Sequence, residues 1–164
     1  QNGLLAEGME ALAKPAALST SLRLLDLSGN AIKDRGVRAL ALAFAQYSPA
    51  QTKGTSRLPP HDVASVYGGV SKLVLSRNDL SSDSGLHLAR ALTHRPHLST
   101  LDLSRNCLGD GGAVFLTDAL SQGCGLTDLD LAMNRIGDDG AAALGDAFSS
   151  DKCVLMKLDL ANND

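Results

Sequence analysis

The chain has 164 residues, 44% of them apolar and 3% aromatic, with 15 Lys/Arg against 18 Asp/Glu for a net charge of -3. That balance lacks the clustered basic footprint a phosphate backbone demands. The longest apolar run, Ala39 to Ala45, is far shorter than the roughly 20 residues that cross a bilayer. Nucleic acid and membrane are therefore not expected as partners, and the length fits one domain.

Charge is uneven along the chain. Residues 1 to 100 carry 11 Lys/Arg and 7 Asp/Glu (+4), and residues 101 to 164 carry 4 and 11 (-7). The three cysteines, Cys107, Cys124 and Cys153, are an odd number without Cys-x-x-Cys spacing. They suit no disulfide framework or metal knuckle, and point to the cytoplasm or another reducing intracellular compartment.

In chain order, Gly3 to Gly8 has phosphate-loop spacing but is followed by Met9 where the motif needs Lys. An apolar frame then opens, Leu22-x-x-Leu25-x-Leu27, and ends on Asn30. The alternation predicts a short strand with one face buried. Four residues past the Asn, Asp34 has a side chain able to cap a helix's first turn. Leu40, Ala43 and Phe44 continue at helical spacing.

The same sentence recurs from Val70, Leu98, Leu126 and Leu155, ending on Asn78, Asn106, Asn134 and Asn163. Its expected caps are Ser82, Asp110 and Asp138, and its helical faces include Leu88, Ala91 and Leu92, then Phe115, Leu116, Ala119 and Leu120, then Leu144, Ala147 and Phe148. Glycines two residues past the cap position, Gly8, Gly36, Gly112 and Gly140, are expected to let helices approach closely, while in the second frame that position is Ser84 and Gly85 follows. With Asn2 included, the Asn spacings are 28, 48, 28, 28 and 29 residues. Such a period marks a solenoid whose units must stack to bury their apolar faces.

The 48-residue gap is one repeat plus 20 residues, lying within 46–69 and punctuated by Pro49, Pro59, Pro60, Gly54, Gly68 and Gly69. It contains no leucine frame, so it reads as a loop on one rim, with Arg57, Leu58, His61 and Tyr67 as candidate contacts.

These residues, Leu-x-x-Leu-x-Leu-x-x-Asn followed by a Gly-x-x-x-Leu-x-x-Ala-Leu helix, resemble the ribonuclease-inhibitor type of leucine-rich repeat. The resemblance implies an α/β class horseshoe spanning 1–164, with a parallel sheet on the concave face and helices on the convex face. It also implies a protein-binding scaffold without catalysis or cofactor, since the relatives include innate immune receptors, Ran GTPase activators, tropomodulin-like actin regulators and the inhibitor itself. Alternatives are a non-catalytic regulator of a GTPase or other enzyme, and a brace inside a larger assembly. Both ends fall in mid-repeat, so further repeats or another subunit are expected on each side.

Between the buried leucines, the residues facing the hollow form a middle row of Asp26, Val74, Asp102, Asp130 and Asp159. Beside it run Leu24, Lys72, Thr100, Asp128 and Lys157, and on the other side the small residues Ser28, Ser76, Ser104, Ala132 and Ala161. Four carboxylates in one line should repel one another and favour a basic partner or a bridging cation, unless Leu-Asp-Leu is simply the common strand pattern of such repeats. Arg77 and Arg105 stand just before their Asn residues, where they are expected to pair with nearby Asp side chains or else with an acidic partner. The Asn column itself is expected to be structural, a buried amide answering backbone groups of adjacent turns. Asp110-Gly111-Gly112 and Asp138-Asp139-Gly140 lack calcium-loop ligand spacing and are expected to be helix caps. His87, Arg90, His94, Arg95 and His97 are expected to form a basic patch on the convex side.

Overall fold

The computed structural model describes residues 3–47, 69–94 and 97–164. Asn2, Arg57, Leu58, His61, Tyr67 and Arg95, and with them the candidate rim loop, lie outside the described residues.

After helix α1 (Ala6–Leu18), four strand–helix units follow: β1 (Leu24–Asp26) and α2 (Lys33–Gln46), β2 (Lys72–Val74) and α3 (Ser82–Leu92), β3 (Thr100–Asp102) and α4 (Gly109–Gln122), β4 (Asp128–Asp130) and α5 (Asp138–Phe148). Strand β5 (Lys157–Asp159) completes a five-stranded parallel sheet in sequence order. The registers join equivalent positions, so Leu25, Leu73, Leu101, Leu129 and Leu158 stand side by side. Each helix packs on the next in sequence. Strands spaced at about 4.8 Å cannot stay parallel to helices about 10 Å wide without bending. The sheet therefore takes the inside of the curve, and the array is an α/β solenoid.

One core runs its length. The strand leucines Leu73, Leu75, Leu101, Leu103 and Leu131 are fully enclosed, as are Leu40, Leu88, Leu116 and Leu144 on the helices and Ile32, Leu80, Leu108 and Ile136 in the turns between. Two residues placed on the buried helical face depart from it. Phe115 is half-buried and Phe148 is 46% exposed, while Ala113 and Ala147 take the inward positions. Phe115 stands where Ala39, His87 and Ala143 are likewise half-buried, whereas the counterparts of Phe148, namely Phe44, Leu92 and Leu120, are buried in helices that another described helix follows, and none follows α5.

The turn glycines bear out the expected close approach of helices in part and add a second use. A side chain at Gly36, Gly112 or Gly140 would meet Ile32, Leu108 or Ile136 of the same repeat at 2.6–2.7 Å, and only Gly36 and Gly140 also press on a neighbouring repeat. Gly36 and Gly112 make room first for the apolar residue two places after the Asn, whereas the nearest atom at Gly140 is Asp110 Oδ1 of the preceding repeat, at 2.5 Å. Helix–helix approach is tightest at Gly85, whose added Cβ would lie 2.7 Å from the Gly112 carbonyl oxygen on the adjoining helix.

Helix capping also differs from the local reading. No side chain of its own repeat caps α2, α4 or α5, and the cap of α3 is Ser81 rather than Ser82, accepting from the Asp83 amide at 3.3 Å. Asp34 and Asp110 reach across to the next repeat. Asp34 accepts from the Ser81 amide at 2.8 Å and from the Ser81 and Ser84 hydroxyls. Asp110 accepts from the amides of Gly137 at 2.7 Å and Gly140 at 3.0 Å, at the start of α5. Each carboxylate thus answers free donors at the N-terminus of the following helix.

Candidate functional site

Each asparagine of the ladder turns its amide inward and links two repeats. Asn78 Oδ1 accepts from the amides of Asn30 and Ile32 in the preceding repeat. Its Nδ2 donates to the carbonyls of Leu27, Leu75 and Ser76. Asn106 does the same with Asn78, Leu80, Leu75 and Leu103. Asn134 donates to Leu103 and Leu131, and Asn163 accepts from Asn134 and Ile136. Asn30, Asn78, Asn106 and Asn134 are buried, and no buried side-chain polar atom among the described residues lacks a partner. The column holds the backbone together and presents nothing outward.

The concave face is set by the strand registers. Asp26, Val74, Asp102, Asp130 and Asp159 occupy neighbouring positions, with Leu24, Lys72, Thr100, Asp128 and Lys157 in the parallel row. Helices cover the other face of the sheet. A cleft of about 290 Å³ in the hollow is lined by Lys72, Val74, Thr100, Asp102, Asp128, Asp130 and Lys157. Three carboxylates are thereby grouped between two lysines.

The row aspartates also have a local use. The Oδ1 atoms of Asp26, Asp102, Asp130 and Asp159 accept from the amides two residues on, at Ser28, Ser104, Ala132 and Ala161, over 2.9–3.0 Å. Each tightens the turn leaving its strand. The carboxyls respond differently to their surroundings. Hydrogen bonds from Ser28 hold Asp26 below the usual range. Asp130 is pushed above it, first by burial and then by the neighbouring charges of Asp102 and Asp159. The expected repulsion within the row is present at its centre.

At the turns after the strands, a second groove of about 1000 Å³ runs across three repeats. Its lining includes Ser28, Ser76 and Ser104 with Arg77, Asp79 and Arg105. The residue before each Asn is left-handed throughout: Gly29, Arg77, Arg105, Met133 and Asn162 have φ of 56–65°. Their amides donate to Ser76, Ser104, Ala132 and Ala161 for all but the last. The expected pairing of Arg77 and Arg105 with nearby aspartates does not occur among the described residues. Among the described residues the ion pair is Arg35–Glu10, at 2.8 Å between α2 and α1, and neither rim arginine takes part in one. The Asp carboxylates are engaged with turn amides and face the hollow, which leaves both guanidinium groups exposed.

On the convex side the basic patch extends beyond α3. His87 lies near Arg90 of its own helix and Arg38 of α2, and burial followed by these two charges lowers its pKa. No sequence spacing signals the Arg38 contribution, because it crosses between helices. The cysteines are free thiols, with Cys107 exposed, Cys124 buried and Cys153 half-buried. Burial raises the Cys124 pKa, and its packing marks it as a core residue rather than a nucleophile. No described helix is long and apolar enough to cross a membrane.

Comparison with known proteins agrees with this architecture. The family profile described as Leucine Rich repeat matches residues 18–41, 94–116 and 125–145. Among solved structures, the leiomodin-1 actin-binding site 2 is similar at a TM-score of 0.68 and 14% identity, over 94% of this chain and 76% of that one. The tropomodulin C-terminal domain of Caenorhabditis elegans gives 0.67 and 12%, over 95% and 82%. No curated protein matches the sequence significantly. A 28-residue frame in register, a parallel sheet in sequence order, three profile matches and these neighbours agree: the chain is a leucine-rich repeat protein.

Proposed function

We propose that the array is a non-catalytic protein-binding module of the ribonuclease-inhibitor type that takes a cationic surface of its partner into the concave face. The observation that carries this reading is the open sheet face with Asp102, Asp128 and Asp130 grouped in one cleft. A parallel sheet is ordinarily covered on both sides, and here helices cover one. The raised pKa of Asp130 means that its charge is held at a cost in the free protein, and a partner's Lys or Arg side chain would relieve it. The leiomodin-1 fragment of the same architecture is an actin-binding site, which supports a protein ligand for this array. Three free thiols support a reducing, intracellular setting.

The test is capture of proteins on immobilised wild type and on the Asp102→Asn/Asp130→Asn double variant, compared quantitatively, with purified actin as one defined candidate. Asparagine keeps the Oδ1 acceptor each turn needs, so only charge is removed. Proteins retained by wild type should fall by about tenfold or more on the variant. Equal retention would remove the acidic row from the interface.

A further inference from the structure

The acidic row is interrupted once, at Val74, and the interruption changes the rim above it. In the first and third repeats the serine two residues beyond the row is occupied: Ser28 hydrogen-bonds Asp26, and Ser104 Oγ donates to Asp102 at 2.7 Å. Valine offers Ser76 no acceptor, and among the described residues Ser76 Oγ makes no hydrogen bond. Beside it stand Arg77 and Arg105, likewise without hydrogen-bond or ion-pair partners among those residues. All three line the rim groove. Their left-handed backbones are pinned by amide donation to the next repeat, Arg77 to Ser104 at 3.1 Å and Arg105 to Ala132 at 2.8 Å. Arg77 and Arg105 lie at the same place in adjacent repeats, so their bases are about one strand spacing, roughly 5 Å, apart.

We propose that the rim groove over the second and third repeats binds an acidic segment of the protein partner, with Arg77 and Arg105 holding its carboxylates and Ser76 donating a further hydrogen bond. This rests on the array being a protein-binding module and adds to it that the partner brings negative charge to the rim as well as positive charge to the hollow. Guanidinium groups are planar forks that match carboxylates in pairs. A carboxylate suits the groove better than a phosphate dianion because Asp79 lines the same wall and the chain is net negative. The occupant is thus distinguished from a phosphopeptide or RNA by the charge it must bear.

The proposal is tested by fluorescence anisotropy with a labelled extended peptide of alternating Glu and Ser, a Gln-for-Glu control, a phosphoserine peptide and a Lys-Gly peptide. The full chain should bind the Glu peptide in a salt-dependent way and ignore the Gln control. Arg77→Gln/Arg105→Gln should weaken the Glu peptide by about tenfold or more. Val74→Asp, which continues the acidic row and offers Ser76 an acceptor, should also weaken it. Asp102→Asn/Asp130→Asn should weaken only the Lys-Gly peptide, and that arm reports on the hollow independently of the rim. Glu-peptide binding that is absent, or unchanged in the arginine variant, overturns the rim proposal, and tighter binding of the phosphoserine peptide overturns the choice of carboxylate. Circular dichroism of each variant separates lost contacts from lost fold.

Discussion

At the residue scale, one carboxylate chemistry serves opposite ends. Burial opposes the charge on Asp34, but hydrogen bonds from Ser84 and Ser81 outweigh it and its pKa lies below the ordinary value. Such a group contributes stability that is fully present above the unfolded value of about 3.9 and is lost as pH falls through its folded value. Asp130 lies on the other side, with a folded pKa above the unfolded one. Its charge weakens the fold at neutral pH, and that weakening disappears as pH falls from the folded to the unfolded value. Asp34→Ala should therefore cost about 1–3 kcal/mol at neutral pH, whereas Asp130→Asn should gain about 0.2–1 kcal/mol. Urea titrations at pH 7 and at a pH below the folded Asp34 value check both: the Asp130 difference should shrink as pH falls to the unfolded value of about 3.9 and the Asp34 difference only below it, and a constant offset would contradict the assignments. The row aspartates were legible from their spacing. The target of Asp34 was not, because position in a repeat does not reveal that a side chain crosses to the next one.

At the element scale, three-residue strands owe their order to neighbours rather than to their own length. Isolated segments this short have no independent stability. The helices are positioned by contact with their neighbours, and the α3–α4 contact leaves no room at Gly85. Gly85→Ala should push those helices apart and destabilise by about 1–3 kcal/mol. Gly145, on the exposed side of α5, meets nothing within 4 Å, so Gly145→Ala should stabilise by about 0.5–1 kcal/mol. Thermal melts of the pair should move in opposite directions. The existence and order of these elements followed from the leucine frame, since a strict repeat states the same pattern several times over. The role of Gly85 needed coordinates, because it stands one place beyond the glycine column and serves a different contact. The Phe148 departure has another origin: its counterparts Phe44, Leu92 and Leu120 are buried, and among the described residues no helix follows α5 to cover it.

At the scale of the whole molecule, contacts between adjoining repeats carry the stability, and chain length between repeats matters little. The first and second units are 48 residues apart at their asparagines, yet the Asn30 amide reaches Asn78 Oδ1 at 3.2 Å, and β1 pairs with β2 in the common register. Shortening the connection by 15 residues should change closure entropy by a few tenths of a kcal/mol. A chain lacking Gln51 to Ser65 should retain its circular dichroism spectrum and unfolding midpoint to within about 0.5 kcal/mol. An unfolded product would show that the segment is part of the scaffold. The concave row, the rim arginines and the Val74 break were all visible in the repeat alignment. What remained hidden was the consequence of that break for Ser76 and the absence, among the described residues, of carboxylate partners for Arg77 and Arg105, since both depend on which hydrogen bonds are already made.

The asparagine ladder also has a direction. Asn78, Asn106 and Asn163 each receive amide protons from the repeat before, and Nδ2 of Asn78, Asn106, Asn134 and Asn163 returns a proton to the carbonyl of that same repeat. A repeat added to the C-terminal side would therefore bring its own joint, while one added to the N-terminal side would use a joint already present. Growth by duplication needs no new interface to be invented, only another copy of the same grammar.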